Sequence, residues 1–101
     1  MAGDFDGGVT TLLVRVTGTV QGVGYRAACV QQADVIGVAG WVRNRMDGSV
    51  EALLQGSQEQ VREMCDWMID GMPAALVDKM EVEQLAPPFT RFEAFRQIPD
   101  A

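Results

Sequence analysis

A period-two alternation of apolar and polar residues, followed directly by a helical period, is the feature that most constrains the fold of this chain. Residues 12–20 alternate with valines on one face, which predicts a strand with one buried side. Apolar residues then recur at helical spacing from Tyr25 to Ile36, and Gly37 is a typical residue for the C-terminal end of a helix. The chain is therefore predicted to begin as a strand followed by a helix.

A hairpin and a second helix are predicted next. Residues 40–46 and 50–55 have strand character, and Asp47-Gly48 between them is a strong signal for a tight turn. Ser57 to Gln60 form a capping-box pattern, which predicts the start of a helix that ends before Pro73. This region is therefore expected to continue the order as strand, strand and helix.

Two further strands complete the predicted order. Residues 76–85 alternate again, with Leu76, Met80 and Val82 expected on one face, and residues 91–98 predict a last strand whose register the alternation leaves open. The order β-α-β-β-α-β plus a final strand predicts an α+β fold, a ferredoxin-like split βαβ sandwich. Its two helices would pack on one face of a mostly antiparallel sheet. We predict a single domain over residues 12–98, preceded by a flexible N-terminal tail over residues 1–11.

Composition argues against several classes of protein. The net charge of −6 is unfavourable for a nucleic-acid-binding protein, and no apolar run approaches the roughly 20 residues of a membrane span. We therefore expect a cytoplasmic protein without nucleic-acid or membrane partners. Histidine is absent, which removes the commonest general base and zinc ligand. Cys29 and Cys65 lack the spacing of a metal site and are expected to be reduced, buried thiols, although a contact between them stays open.

The turn VQGVGYR, between the first strand and the first helix, has the features of an anion site. Gly22 and Gly24 can adopt positive φ and let a ligand approach the main chain. Backbone N–H groups that curve into a helix N-terminus attract anions, and Arg26 adds a guanidinium that can hold two phosphate oxygens. The alternative interpretation is a tight connection with an exposed arginine, and the glycines alone favour this alternative because short glycine motifs are common.

Three motifs, taken in order, resemble the acylphosphatase family. They are GTVQGVGYR over residues 18–26, GWVRN over residues 40–44 and DGSVE over residues 47–51. The resemblance runs from the first predicted strand to the last. It implies a monomeric enzyme that hydrolyses the carboxyl–phosphate bond of acyl phosphates to a carboxylate and phosphate, with no cofactor, no metal ion and no covalent intermediate.

The resemblance also assigns roles to residues by their position. It assigns binding of the phosphoryl group to the loop formed by Gln21, Gly22, Val23, Gly24, Tyr25 and Arg26. It assigns catalytic roles to Arg26 and to Asn44, whose amide would orient the attacking water. This division suits a chain without histidine, since phosphoryl transfer depends mainly on positioning and charge stabilisation. Arg43 and Arg45 are expected on the opposite sheet face as solvated charges, and Tyr25 and Trp41 are expected to pack.

Alternative functions remain open at this level. The expected partner is a small acyl phosphate, with inorganic phosphate as product and competitive inhibitor. A non-catalytic phosphate-binding or regulatory module would use the same loop, and an acylphosphatase-like domain that handles carbamoyl phosphate would normally belong to a longer, multidomain chain. An RNA-recognition domain would carry aromatic and basic residues on its central strands, but LLVRVTGTV and VEALLQG contain no aromatic residue.

Overall fold

The structure, a computed structural model, describes residues 8–101, which form one five-stranded sheet and two helices. The elements are β1 Thr10–Thr19, α1 Tyr25–Ile36, β2 Ala39–Asn44, β3 Val50–Gly56, α2 Gln58–Asp70, β4 Leu76–Leu85 and β5 Phe95–Gln97. The strand order is β4-β1-β3-β2-β5, with β5 parallel to β2 and every other neighbouring pair antiparallel. The predicted ferredoxin-like α+β sandwich is confirmed. Of the predicted tail, residues 1–7 lie outside the described residues, and Thr10 and Thr11 belong to β1.

A single core joins both helices to the same face of the sheet. The alternation of β1 and β3 places their inward side chains out of contact with water, and α1 and α2 cover them. Each buried valine or leucine side chain among them stabilises the fold by roughly 1.5–3 kcal/mol through its removal from water. The fully buried hydrophobic residues from the sheet are Val14, Val16, Val42, Val50, Ala52 and Leu54, and those from the helices include Tyr25, Cys29, Ala33, Met64 and Met68. No helix within the described part of the chain is long and apolar enough to cross a membrane.

The edge strand β4 departs from the predicted alternation. Its pairing with β1 shifts between Thr17 and Gly18, which face Lys79 and Val77 respectively. This bulge reverses which side chains at the start of β4 face the core. Val77 therefore packs on the core, and Leu76 is 65% exposed. The prediction that Leu76 shares the face of Met80 was therefore wrong.

The last strand is shorter than predicted and owes its place to non-local contacts. β5 contains only Phe95–Gln97, of which Phe95 is buried. The preceding residues are held instead by the side chain of Gln55, which donates from Nε2 to the carbonyl of Thr90 and accepts from the N–H of Phe92. Residues 98 and 101 continue along β2 through backbone hydrogen bonds, which brings the C-terminal end of the chain beside Asn44.

Gly40 in β2 permits a close approach of two strands, which a side chain at this position would prevent. Its φ is 135°, and a Cβ added there would lie 1.8 Å from the carbonyl oxygen of Leu53. We expect Gly40→Ala to lower the free energy of unfolding by about 3 kcal/mol, measured by urea denaturation. Gly48→Ala is the matched control, because Gly48 also has positive φ but has nothing within 4 Å of the added Cβ. It should cost only about 1 kcal/mol, and an equal loss in both variants would contradict the clash.

Candidate active site

A shallow pocket lies where the glycine turn enters α1. It has a volume of about 210 Å³. The two glycines of the turn adopt the left-handed conformation that the sequence predicted, with φ of 78° at Gly22 and 80° at Gly24. The lining residues are Val20, Gly22, Gly24, Tyr25, Arg26, Ala27 and Gln97. The turn and the first residues of α1 therefore form one wall, and β5 supplies the other through Gln97.

The N-terminus of α1 is open to an anion, whereas that of α2 is satisfied by its own side chains. In α2, Ser57 accepts from the N–H of Gln60, whose side chain in turn accepts from the N–H of Ser57. In the described chain, α1 has neither a side-chain cap nor an acidic residue in its first turn, and Gly24 is its N-cap. Its first N–H groups and its helix dipole thus face the pocket, which favours a negatively charged ligand.

Tyr25 is the anchor of this helix terminus. Its side chain is buried, its hydroxyl donates to the carbonyl of Met68 at 2.6 Å, and its ring stacks on Trp67 with 6.3 Å between ring centres. Burial, together with the nearby Cys29 and Cys65, raises the pKa of Tyr25 far above its ordinary value. The predicted packing role of Tyr25 is confirmed, since its phenol is engaged in the core.

Arg26 points along the pocket towards the C-terminal end of the chain. Its Nη1 lies 3.2 Å from Oδ1 of Asp100, and about a third of its side chain is exposed. Among residues 8–101 this contact uses one guanidinium nitrogen, which leaves other N–H groups of Arg26 available to phosphate oxygens. Asp100 lies beyond the predicted domain boundary at residue 98, and no local sequence signal connects it to Arg26.

Asn44 is the last residue of β2, rather than a residue inside the strand as predicted, and is paired with Val50 of β3. Its Oδ1 is buried and has no hydrogen-bond partner among the residues that the structure describes. Its carbonyl accepts from the N–H of Ala101, the residue that follows the partner of Arg26. The C-terminal end of the chain therefore contacts both Arg26 and Asn44. The Asn44 Oδ1 is therefore a hydrogen-bond acceptor that the described residues leave unused.

Arg43 and Arg45 lie on the opposite sheet face from Asn44, as predicted, but they are not solvated charges. Arg43 donates to Oε1 of Glu51 through Nε at 2.8 Å and Nη2 at 2.7 Å, and Arg45 reaches the same oxygen at 3.2 Å. Arg43 also stacks over Trp41, 5.0 Å from the ring centre. The prediction of solvated arginines was wrong because their cross-strand neighbour is a carboxylate that is itself only 10% exposed.

Gln21 and Val23, the remaining loop residues, direct their side chains elsewhere. Val23 is partly buried against the core. Gln21 donates from Nε2 to the carbonyls of Arg45 and Ser49, both at 2.9 Å. Their side chains therefore serve the scaffold, and neither residue is among those that line the pocket.

A second cavity in the described chain does not suit the same ligand. A larger cavity of about 310 Å³ on the sheet is lined by Glu51, Glu81 and Glu83 with Arg15, an excess of carboxylates that disfavours an anion. Within residues 8–101, no group of three or more His, Cys, Asp or Glu side chains could hold a metal ion. Cys29 and Cys65 are free thiols, and burial raises their pKa to about 12 and about 11 respectively, so neither is a reactive thiolate at neutral pH.

Comparison with known proteins identifies the family of the chain. The family model for acylphosphatase matches residues 12–96. Acylphosphatase 1 of Ralstonia nicotianae is 59% identical over 91 residues, which is 90% of this chain and 89% of that protein. The acylphosphatase of Polaromonas naphthalenivorans is 50% identical over 99% of both chains.

Solved structures show the same arrangement of the chain. The acylphosphatase of Coxiella burnetii superposes with a TM-score of 0.84 at 28% identity, over 92% of this chain and 96% of that one. The acylphosphatase of Bacillus subtilis gives a TM-score of 0.83 at 30% identity, over 88% and 98%. Full-length HypF, at 16% identity and over 12% of its own length, shares the fold alone. The chain belongs to the acylphosphatase family.

Proposed function

We propose that the pocket at the start of α1 is where this acylphosphatase-family enzyme hydrolyses acyl phosphates. The observation that supports the proposal most directly is the α1 N-terminus, which lacks a cap of its own and has Arg26 beside it. The phosphoryl group would accept hydrogen bonds from the backbone N–H groups of residues 21–26 and from the guanidinium of Arg26. These donors spread the negative charge of the equatorial phosphoryl oxygens as the P–O bond to the acyl group breaks.

Asn44 would orient the water that attacks phosphorus. Its buried Oδ1 has no protein partner among residues 8–101, and it can accept one proton of a water in a hydrogen bond. Such a water keeps a lone pair directed at the phosphorus, which lowers the entropic part of the barrier.

The proposed step is balanced without a protein base. The water oxygen bonds to phosphorus, the bond from phosphorus to the acyl oxygen breaks, and the carboxylate leaves. The acyl phosphate dianion plus water becomes a carboxylate plus dihydrogen phosphate, so both water protons end on the phosphate. A carboxylate is stable as an anion at neutral pH, so its departure needs no general acid. Neither the attack of the water nor the departure of the carboxylate requires a histidine.

The proposal includes the setting of the enzyme. We propose a monomer in the cytoplasm that acts on a small acyl phosphate and is inhibited competitively by inorganic phosphate. The scale of the pocket fits one phosphoryl group with its acyl substituent extending into solvent.

Hydrolysis of acetyl phosphate and benzoyl phosphate in the presence of a chelator tests the function. We expect acceleration of at least roughly 10⁶-fold over the uncatalysed reaction, and in ¹⁸O-labelled water the label should enter phosphate and not the carboxylate. Label in the carboxylate would contradict attack at phosphorus. Phosphate binding without turnover would indicate a non-catalytic phosphate-binding module. Selective turnover of carbamoyl phosphate would indicate an acylphosphatase-like domain that handles carbamoyl phosphate.

A further inference from the structure

Gln21 joins the proposed phosphate-binding loop to the β2–β3 hairpin through its side chain. Its Nε2 donates to the carbonyls of Arg45 and Ser49, each at 2.9 Å, across 24 and 28 residues of sequence. An amide nitrogen carries two protons, so these bonds use both. The side chain therefore has no donor left for a phosphate.

The two acceptors belong to a turn that is internally well braced. The N–H of Arg45 donates to the carbonyl of Ser49 at 2.8 Å, and the N–H of Gly48 donates to the carbonyl of Arg45 at 3.1 Å. Asp47 accepts from both the N–H and the hydroxyl of Ser49, and these hydrogen bonds hold its pKa below the ordinary value. A turn with this many internal bonds moves as a unit, and Asn44 precedes it directly.

The loop and the turn differ in how much else holds them. The loop is also fixed by the buried Tyr25, whose hydroxyl bonds to Met68, and by the first turn of α1. Beyond its own β-ladder, the turn is held near the pocket by Gln21 and by the bond from the N–H of Met46 to the carbonyl of Ala101. The ion pair of Asp47 with Arg15 of β1 adds little, because its atoms are 3.8 Å apart and both side chains are exposed. Loss of the Gln21 amide should therefore displace the turn, and Asn44 with it, more than the loop.

We propose that Gln21 is a positioning residue, which sets the distance between the Asn44 amide and the phosphoryl group held by the loop. The proposal rests on the proposed function, and it gives Gln21 an action through Asn44 instead of contact with the substrate. A displacement of about 1 Å can lower the rate by as much as roughly 10²-fold, so loss of the two Gln21 hydrogen bonds should lower kcat about tenfold. Phosphate affinity depends on the loop and should change little.

Gln21→Met and Gln21→Ala test this role, with Gln55→Ala as the matched control. Methionine keeps the length of the side chain and lacks the amide. Gln55 lies at the other end of the sheet, where its Nε2 also bridges two oxygens, those of Thr11 and Thr90. We expect both Gln21 variants to lose about tenfold in kcat for acetyl phosphate, with the inhibition constant of phosphate within about threefold of the parent. Gln55→Ala should lose stability towards urea and keep its kcat.

A second measurement separates positioning from a general structural role. In the background of Asn44→Ala, Gln21→Met should lower kcat by less than about twofold, because the group that it positions is gone. If the losses in kcat from Asn44→Ala and Gln21→Met multiplied in the double variant, the proposal would be overturned. It would also be overturned if the parent were active and Gln21→Met had the same kcat as the parent. A parent that does not turn over acyl phosphates would instead overturn the proposed function.

Discussion

Replacing Arg26 with alanine is expected to lower kcat/KM for acetyl phosphate by roughly 10³-fold and to weaken inhibition by phosphate strongly. The guanidinium is the one side-chain cation that lines the pocket in the described chain, and arginines that stabilise a transferring phosphoryl group contribute roughly 10³–10⁵-fold. Backbone N–H groups at the start of α1 would remain, so residual binding reflects the helix terminus alone. Steady-state kinetics with phosphate as competitive inhibitor measure both effects.

Two companion variants define what the loss of Arg26 means. Arg26→Lys keeps a charge but not the planar pair of donors, so it should recover only a minor part of the rate. Arg62→Ala removes an exposed arginine from α2, away from the pocket, and should behave as the parent. If Arg26→Ala retained the rate of Arg62→Ala, the guanidinium would have no part in the reaction.

The conformation of the glycine turn could be predicted from the sequence because the residues that form it are contiguous. Gly22 and Gly24 were predicted to take positive φ, and they do. The uncapped start of α1 follows from the same residues, since glycine at the N-cap offers no side-chain acceptor. The capping box at Ser57 and the Asp47-Gly48 turn were predictable for the same reason.

The residues that the sequence did not reveal are brought to the site by distant pairing. Gln97 and Asp100 reach the pocket because the chain crosses from β4, at one edge of the sheet, to β5 at the other and then runs parallel to β2. Alternation of apolar and polar residues assigns a side chain to one face of the sheet, but it does not show which residue of the adjacent strand lies beside it. The same limit explains why Arg43 was expected in solvent, although Glu51 lies opposite it in the β2–β3 register.

Asn44→Ala is expected to lower kcat for acetyl phosphate by roughly 10²–10³-fold while leaving the inhibition constant of phosphate close to that of the parent. The loss corresponds to the removal of one preorganised hydrogen bond to a reacting group. The phosphate affinity should persist because Asn44 lies outside the set of residues that line the proposed phosphate pocket in the described structure. This pattern differs from that of Arg26→Ala, which should lower both turnover and phosphate binding.

Asn44→Asp sharpens the test because it keeps the shape of the side chain and changes its charge. A carboxylate there can still accept a proton from water, but its negative charge would repel the phosphoryl group through the low-dielectric interior. It should therefore raise the inhibition constant of phosphate, which Asn44→Ala should leave unchanged. If Asn44→Ala also weakened phosphate binding in proportion to its loss of kcat, Asn44 would hold the substrate. If its kcat matched the parent, the buried Oδ1 would have no part in directing water.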